Sequence, residues 1–487
     1  MKKNILIIVA LLLSQLLFAK PIENPSNHFK TIRQQAVDAA SFGFSPKSSG
    51  IKNVKALQAA VDKGGTITVS EPGIYKMAGT VYIGSNTSLQ FGNGIFLKKV
   101  NEVGEFSSVL TNKGAKTRVY DEHINVEGLQ IIVNGIDVRK FVEAYGLHGQ
   151  LAFFYVKDLK VKGFRCMDLG KAQYGIQICT FEDIVVDDVI IKGLKDGVHL
   201  GRGKRFRISN GVFETFDDAI ALNAHDYAVG NPEMGWIEDG IVENCHDLNA
   251  KETTGFFCRI LAGAWKDWQK GMEVQQSDIV ISNGKLYRVQ MKADGKKYIS
   301  QTPPTHEKGT QVLDSIAWGM SQNEVIYNCG VRNVTFRDIY LSKPRIGFSI
   351  HFDNDKFSRS YYPGAQVPMQ EHLVFDNIRV LYDKPFDFLK INTPIDVVMI
   401  TNSSFQAGGI NFTANNAMPD YLKTIIQINN CVFNYPGSMV LLKNSIINKK
   451  IVFKTVASVE KDPSFQPKIV SAGKDITIQS DLKNLQQ

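Results

Sequence analysis

The chain has 487 residues, 44% of them hydrophobic, and a formal charge of +8 at pH 7. That length allows a large core and two or three domains, while a sequence pI near 8.9 is too mild to mark a nucleic-acid binder and favours at most an acidic partner. Six cysteines (Cys166, Cys179, Cys245, Cys258, Cys329, Cys431) follow no metal-ligand or framework spacing, so buried thiols and one or two disulfides both stay open.

The chain opens Met1-Lys2-Lys3, continues with an apolar run from Ile5 to Phe18, and places small Ala19 before Lys20. This is the three-part pattern of a secretory signal peptide over residues 1–19, too short for a good membrane span. The expectation is an exported protein, periplasmic or extracellular, starting near Lys20, with no further membrane segment. No cysteine near the cleavage point offers a lipid anchor. For such a protein the natural acidic partner is an anionic polysaccharide rather than nucleic acid.

Helical periodicity is scarce. One segment, Asn53 to Asp62, puts Val54, Leu57 and Val61 on one face. After it come Gly64-Gly65-Thr66-Ile67-Thr68-Val69, Gly73-Ile74-Tyr75 and a strand ending Ser88-Leu89-Gln90-Phe91. This order resembles the capping start of pectin-lyase-like right-handed β-helices. A cap is needed physically, because an open solenoid end exposes strand edges and core.

Beyond the cap, short runs of Val, Ile and Phe alternate with Asn, Asp, Gly and Lys. Gly175-Ile176-Gln177-Ile178-Cys179, Gly197-Val198-His199-Leu200-Gly201 and Ala219-Ile220-Ala221-Leu222-Asn223 start about 22 residues apart. Gly255-Phe256-Phe257-Cys258-Arg259 and Gly347-Phe348-Ser349-Ile350-His351 repeat the pattern after insertions. Second and fourth positions should point inward, the others outward. Repeats too small to bury their own core must stack. The expected fold is all-β, a right-handed parallel β-helix with an N-terminal helical cap, spanning residues 20–263 and resuming over 321–487.

Residues 264–320 break the repeat with Trp265, Trp268, Tyr287, Tyr298, Pro303-Pro304-Thr305-His306 and Trp318. This stretch resembles a small carbohydrate-binding β-module of the chitin-binding type. Trp265 and Trp268 are expected to be partly exposed and to stack on sugar faces, while Tyr287 and Trp318 serve equally well as its minimal core.

The chemistry gathers before two neighbouring repeats. Asp196 precedes one strand, and Asp217-Asp218 precede the next. Strands of adjacent coils lie about 4.8 Å apart, so three carboxyls should crowd together and move one another's pKa values. On the repeat alignment His199 lies in the outward column, with Asn223, Arg259 and His351 at strand ends.

The segments Lys195-Asp196-Gly197-Val198-His199-Leu200 and Phe216-Asp217-Asp218-Ala219-Ile220-Ala221-Leu222 resemble the core of family 28 glycoside hydrolases, the polygalacturonases and their relatives. That family carries a lone Asp in Asn-Thr-Asp-Gly, an Asp-Asp pair one coil later, a Gly-His-Gly loop and an Arg-x-Lys strand. The resemblance implies that Asp218 is the general acid, and that Asp196 and Asp217 activate water from the opposite face, inverting the anomeric carbon. It implies Arg259 as a substrate ligand, with His199 and His351 contacting sugar hydroxyls or tuning the acids.

Two departures matter. Leu261 replaces the lysine of Arg-x-Lys, so the sugar need not be galacturonate. The loop after the acid pair reads Ala224-His225-Asp226-Tyr227 and then Gly235-Trp236, making His225, Trp236 and Asn223 further candidate substrate contacts. No metal motif and no cofactor site is recognisable. A polysaccharide lyase, or a glycan-binding β-helix without catalysis, are the alternatives for a protein whose expected partner is a poly- or oligosaccharide.

Overall fold

A strand with apolar residues at every second position buries one face only, so each circuit of this chain must find neighbours above and below. The computed structural model describes residues 36–487 except 249–252, 344, 383–385, 407, 414–422 and 448; the expected signal peptide lies outside the described residues. The chain winds into a right-handed parallel β-helix whose strands join in one 31-stranded sheet. Among the described residues no helix is long and apolar enough to cross a membrane.

The cap forms as the periodicity requires. Helix Gly50–Val61 starts at Ser49, whose side chain accepts from Lys52 N, and it buries Ala56, Leu57, Ala60 and Val61 in the main core. Inside the solenoid, like stacks on like. Phe348 packs against Phe257, Phe336, Phe375 and Phe388 with ring centroids 4.7–5.5 Å apart. At one corner Asp188, Asn210, Asn244, Asn377, Asn402 and Asn430 take positive φ. Two pairs of these side chains bond between coils, Asn244 donating to Asn210 at 2.6 Å and Asn430 to Asn402 at 2.8 Å. Asn and Asp tolerate that conformation and satisfy one another there.

The site column runs in register through Ile176, Val198, Ile220, Cys258 and Phe348. The 22-residue alignment is therefore correct for the first three coils and for Phe348. The fourth is displaced by two residues: Cys258, not Phe256, lies opposite Ile220. Because side chains alternate with period two, this slip leaves Cys258 inward and Arg259 outward. It moves Arg259 from the strand end to the middle, opposite Ala221 and Ser349. All six cysteines are buried, unpaired thiols.

The excursion from the solenoid begins at Gly263–Ala264, which pairs with Asn328–Cys329, and the helix resumes at Val331. Its strands Lys266–Asp267, Ile279–Ser282, Lys285–Val289, Thr310–Leu313 and Ile316–Gln322 form one sheet, and Met272–Gln275 with Lys297–Ser300 a second. Tyr287 and Trp318 are its core. Trp265 corrects the expectation of exposure: it is 1% exposed and its Nε1 donates to Ile326 O at 2.6 Å. Trp268 is half-buried, donating to Ser300 Oγ at 2.8 Å.

The insert sits on the outer face of the site column. Arg288, itself buried, donates to Ala228 O and Asn231 O, and Asp278 pairs with Arg359. Strand Val198–Leu200 is buried on both faces, its outward residue His199 covered by Tyr174 and Asp226. Truncating Phe348 to Ala removes the centre of the aromatic stack; we expect a loss of about 3–5 kcal/mol, read as a lower guanidinium midpoint with secondary structure retained in the folded baseline.

Candidate active site

Lys195-Asp196 and Asp217-Asp218 are the last residues before strands Val198–Leu200 and Ile220–Asn223. The backbones stay in register through this turn, with Gly175 N donating to Asp196 O and Gly197 N to Asp218 O at 3.0 and 2.9 Å. Gly197 makes the approach possible. A Cβ there would stand 2.6 Å from Ala219 O and 2.8 Å from the Phe213 ring.

The stacking brings one oxygen from each of Asp196, Asp217 and Asp218 within 4.8 Å of the others. Asp218 is 1% exposed and Asp196 2%, whereas 28% of the Asp217 side chain is open. Asp218 Oδ1 accepts from Phe256 N at 2.8 Å, but burial, Asp217 and Asp196 together push its carboxyl well above the usual range. Burial and Asp196 also raise Asp217, against the pull of Lys195. Burial would raise Asp196 too, yet Lys195 and a His199 hydrogen bond outweigh it and hold this carboxyl below the usual range. A compact acid cluster could hold a divalent ion; the cation among these oxygens is the chain's own Lys195. Its Nζ forms a close ion pair with Asp217 and lies 3.3 Å from Asp196 Oδ1.

Asp217 and Asp218 line a cleft of about 1050 Å³. Its walls include Lys195, Tyr227, Phe256, Arg259, His351 and Asp353, and the insert contributes Gln276, Met291 and Ala293. Arg259 is held by Asp353 at 2.6 Å, and His351 Nε2 lies 3.3 Å from the same carboxylate. Burial would lower both charges, but the Arg259–Asp353 pair wins: the guanidinium is raised and the carboxyl lowered.

Among the expected site residues, Asp217, Asp218, Arg259 and His351 thus share the cleft wall. Asp196 and His199 lie directly behind it. His199 is fully buried, with Nδ1 2.8 Å from Asp196 Oδ2 and Nε2 3.0 Å from Asp226 Oδ2, the latter too bent for a linear hydrogen bond. Asn223 is buried and donates to Asp226 at 3.0 Å, so it orients Asp226 rather than facing the cleft. His225 is buried near Trp265, and desolvation pushes it down to about 4, a neutral imidazole. Trp236 lies in a separate cleft of about 250 Å³, its ring covered by the Arg332 guanidinium. Trp265 and Trp268 do not line the acid cleft.

Three residues escaped the sequence reading. Lys195 stands in the quoted motif, and the 22-residue spacing that stacks Asp196 on Asp218 also stacks Lys195 on Asp217. Asp226 is the second partner of His199. Tyr174 lies flat against the His199 ring, centroids 4.0 Å apart; no pattern in the sequence marks it.

No family model matches the chain, and a search of curated proteins finds no match. Among solved structures it is similar to the catalytic unit of a thermostable GH87 alpha-1,3-glucanase from Streptomyces thermodiastaticus, with 12% identity, 92% of this chain and 68% of that one covered, and a TM-score of 0.52. Weaker likenesses are a family 28 exopolygalacturonase from Yersinia enterocolitica (12% identity, 92% and 79% covered, TM-score 0.47) and PfbA, a surface adhesin of Streptococcus pneumoniae (12%, 91% and 93%, 0.40). The glucanase likeness supports the fold, a right-handed parallel β-helix; a fold of this kind hosts several functions.

The buried histidine makes stability depend on pH. Burial would lower His199, but its hydrogen bond to Asp196 and the close Asp226 carboxylate raise it to about 9. The unfolded value is about 6.5, so this stabilisation is complete below that pH and is lost as pH rises through about 9. We expect the unfolding free energy to fall by up to a few kcal/mol across that window, and a His199→Gln variant to lose this part of the slope in denaturant titrations at pH 6 and 9.5.

Proposed function

We propose that the protein is an exported glycoside hydrolase that cleaves a glycosidic bond in a poly- or oligosaccharide by carboxylate acid/base catalysis. The observation that carries this reading is geometric: three acids stacked within 4.8 Å, two of them lining one cleft, with burial raising Asp218 while Lys195 and His199 hold Asp196 down. Groups forced apart in this way are an acid and a base. Asp218 gives its proton to the glycosidic oxygen as the C–O bond breaks. Asp217, open to the cleft and backed by Asp196, takes a proton from the water whose oxygen bonds to the anomeric carbon. Arg259 and His351 face the same space and bind the sugar.

The nearest oxygens of the three acids lie within 4.8 Å, less than the roughly 6.5–9.5 Å that admits water between an acid and a base. Inversion, which the family resemblance implies, therefore has water entering beside the pair. Export rests on the N-terminal segment of the sequence. The inserted module, expected as a glycan binder, is read here as a wall of the cleft. Leu261 is fully buried and supplies no second cation beside Arg259, so a uronate at the cleavage point is not required. A lyase would need an unprotonated base near a C5 proton; Arg259, paired with Asp353, is held as a guanidinium.

A panel of plant and algal polysaccharides, with products identified by mass, should yield new reducing ends without unsaturation. On the substrate found, Asp218→Asn should lower kcat by about 10²–10⁴-fold with glycan binding retained. Products absorbing in the ultraviolet would replace this reading with a lyase, and full activity in Asp218→Asn would end it. The first-formed anomer, read by proton NMR, is expected to be inverted; retention would make Asp217 a nucleophile.

A further inference from the structure

Three carboxylates stacked out of water repel one another strongly, since charges at such distances interact several-fold more strongly than in bulk water. Two cations answer that repulsion, and they are distributed unevenly. Lys195, its side chain 10% exposed, touches Asp217 Oδ2 and approaches Asp196 Oδ1 at 3.3 Å. His199 reaches the other oxygen of Asp196 at 2.8 Å. Asp196 thus meets a cationic group at each oxygen and Asp217 at one. Asp218 has no ion-pair partner among the described residues.

We propose that Lys195 and His199 are positioning residues for the reaction, two buried cations on one turn that pin Asp196 and Asp217 as carboxylates and leave Asp218 as the member free to carry a proton. The assignment of catalytic roles rests on the glycoside hydrolase reading above; the cation arrangement itself needs no substrate. The surroundings fit it from each side. Asp226, on the segment after Asn223, supplies the second acid to His199 at 3.0 Å. Tyr174, on the preceding coil, stacks on that imidazole, and the Lys195 ammonium lies 5.6 Å from the same ring. A tyrosine face favours a cation. His148 faces His199 from the same preceding side and is pressed by burial to about 3, so it brings no competing charge. Arg259, on the following coil, acts on all three acids from a distance but is bound to Asp353. Tyr227 faces Lys195 and Asp196 from the cleft wall, and burial pushes its phenol up to about 12, so it stays neutral.

Lys195 also lines the cleft, so a direct contact with an anionic sugar is the competing role. The two separate cleanly in pH profiles of full-length Lys195→Met and Lys195→Arg on the substrate found above. Removing a positioning cation raises the pKa of the carboxylates it held. Lys195→Met should therefore shift the acidic limb of kcat upward by about one pH unit or more, with KM changed little and Lys195→Arg restoring most of the limb. A rise in KM with the limb unmoved would overturn the proposal and make Lys195 a substrate contact.

Two measurements stand apart from turnover and from the folding of any variant. In ¹⁵N-histidine-labelled parent protein, His199 should show an imidazolium signal through pH 7; a neutral tautomer there would overturn its part. In ¹³C-carboxyl aspartate-labelled parent, two of the three acids should be ionised at pH 6 and one protonated; three acids titrating together near pH 4 would overturn the whole arrangement. If the parent cleaves no glycan while both spectra come out as expected, the cation arrangement holds and the hydrolase reading alone fails.

Discussion

The constraint on which everything else depends is the in-register stacking of parallel coils at about 4.8 Å. A residue in one coil has no choice about its neighbour: it meets whatever occupies the same position one circuit later. Phenylalanines gain from this rule, as the stack around Phe348 shows, and so do asparagines, which bond between coils at one corner. Carboxylates do not. Asp196 and Asp218 are brought together by the same geometry that packs the core, and their repulsion has to be met locally.

The second condition is dryness. In an open solenoid the outward column faces water, and stacked acids would be screened. Here the segment after Asn223 folds back over the column, with Asp226 on His199 and Asn223, and the excursion between Leu261 and Val331 holds that segment through Arg288 on the carbonyls of Ala228 and Asn231. His199, Ala221 and Asn223, outward by alternation, become as buried as the core. Loss of water strengthens every interaction among the acids and their partners, which is what separates Asp218 from Asp196 so widely.

Much of this was legible from spacing. The 22-residue recurrence located the column, its inward and outward faces and the three acids. It failed at Gly255–Arg259, where Phe256 and Cys258 are both apolar, so alternation allowed two registers differing by two residues; only the pairing of Cys258 with Ile220 and Phe348 decides between them. Trp265 misled for a different reason. An aromatic residue in an insertion looks the same whether it covers sugar or core, and the carbonyl that holds it, Ile326 O, is far along the chain. His199 was visible as an outward residue, but the groups that cover it, Tyr174 and Asp226, come from other parts of the chain that no local pattern brings to it.

Lys195 is the instructive omission, because the rule that found the acids also contained it. Stacking Lys195-Asp196 on Asp217-Asp218 sets lysine over aspartate and aspartate over aspartate. The first contact is attractive and opposes the rise that burial and Asp196 impose on Asp217; the second is repulsive. Were Asp196 free to take a proton, the repulsion could be relieved on either acid. His199, itself held charged by Asp226, closes that option by keeping Asp196 ionised. The penalty then falls on Asp218, raised well above the usual range, and on Asp217, raised less because Lys195 pulls against it. The three acids are thereby made unequal by two dipeptides and one repeat length.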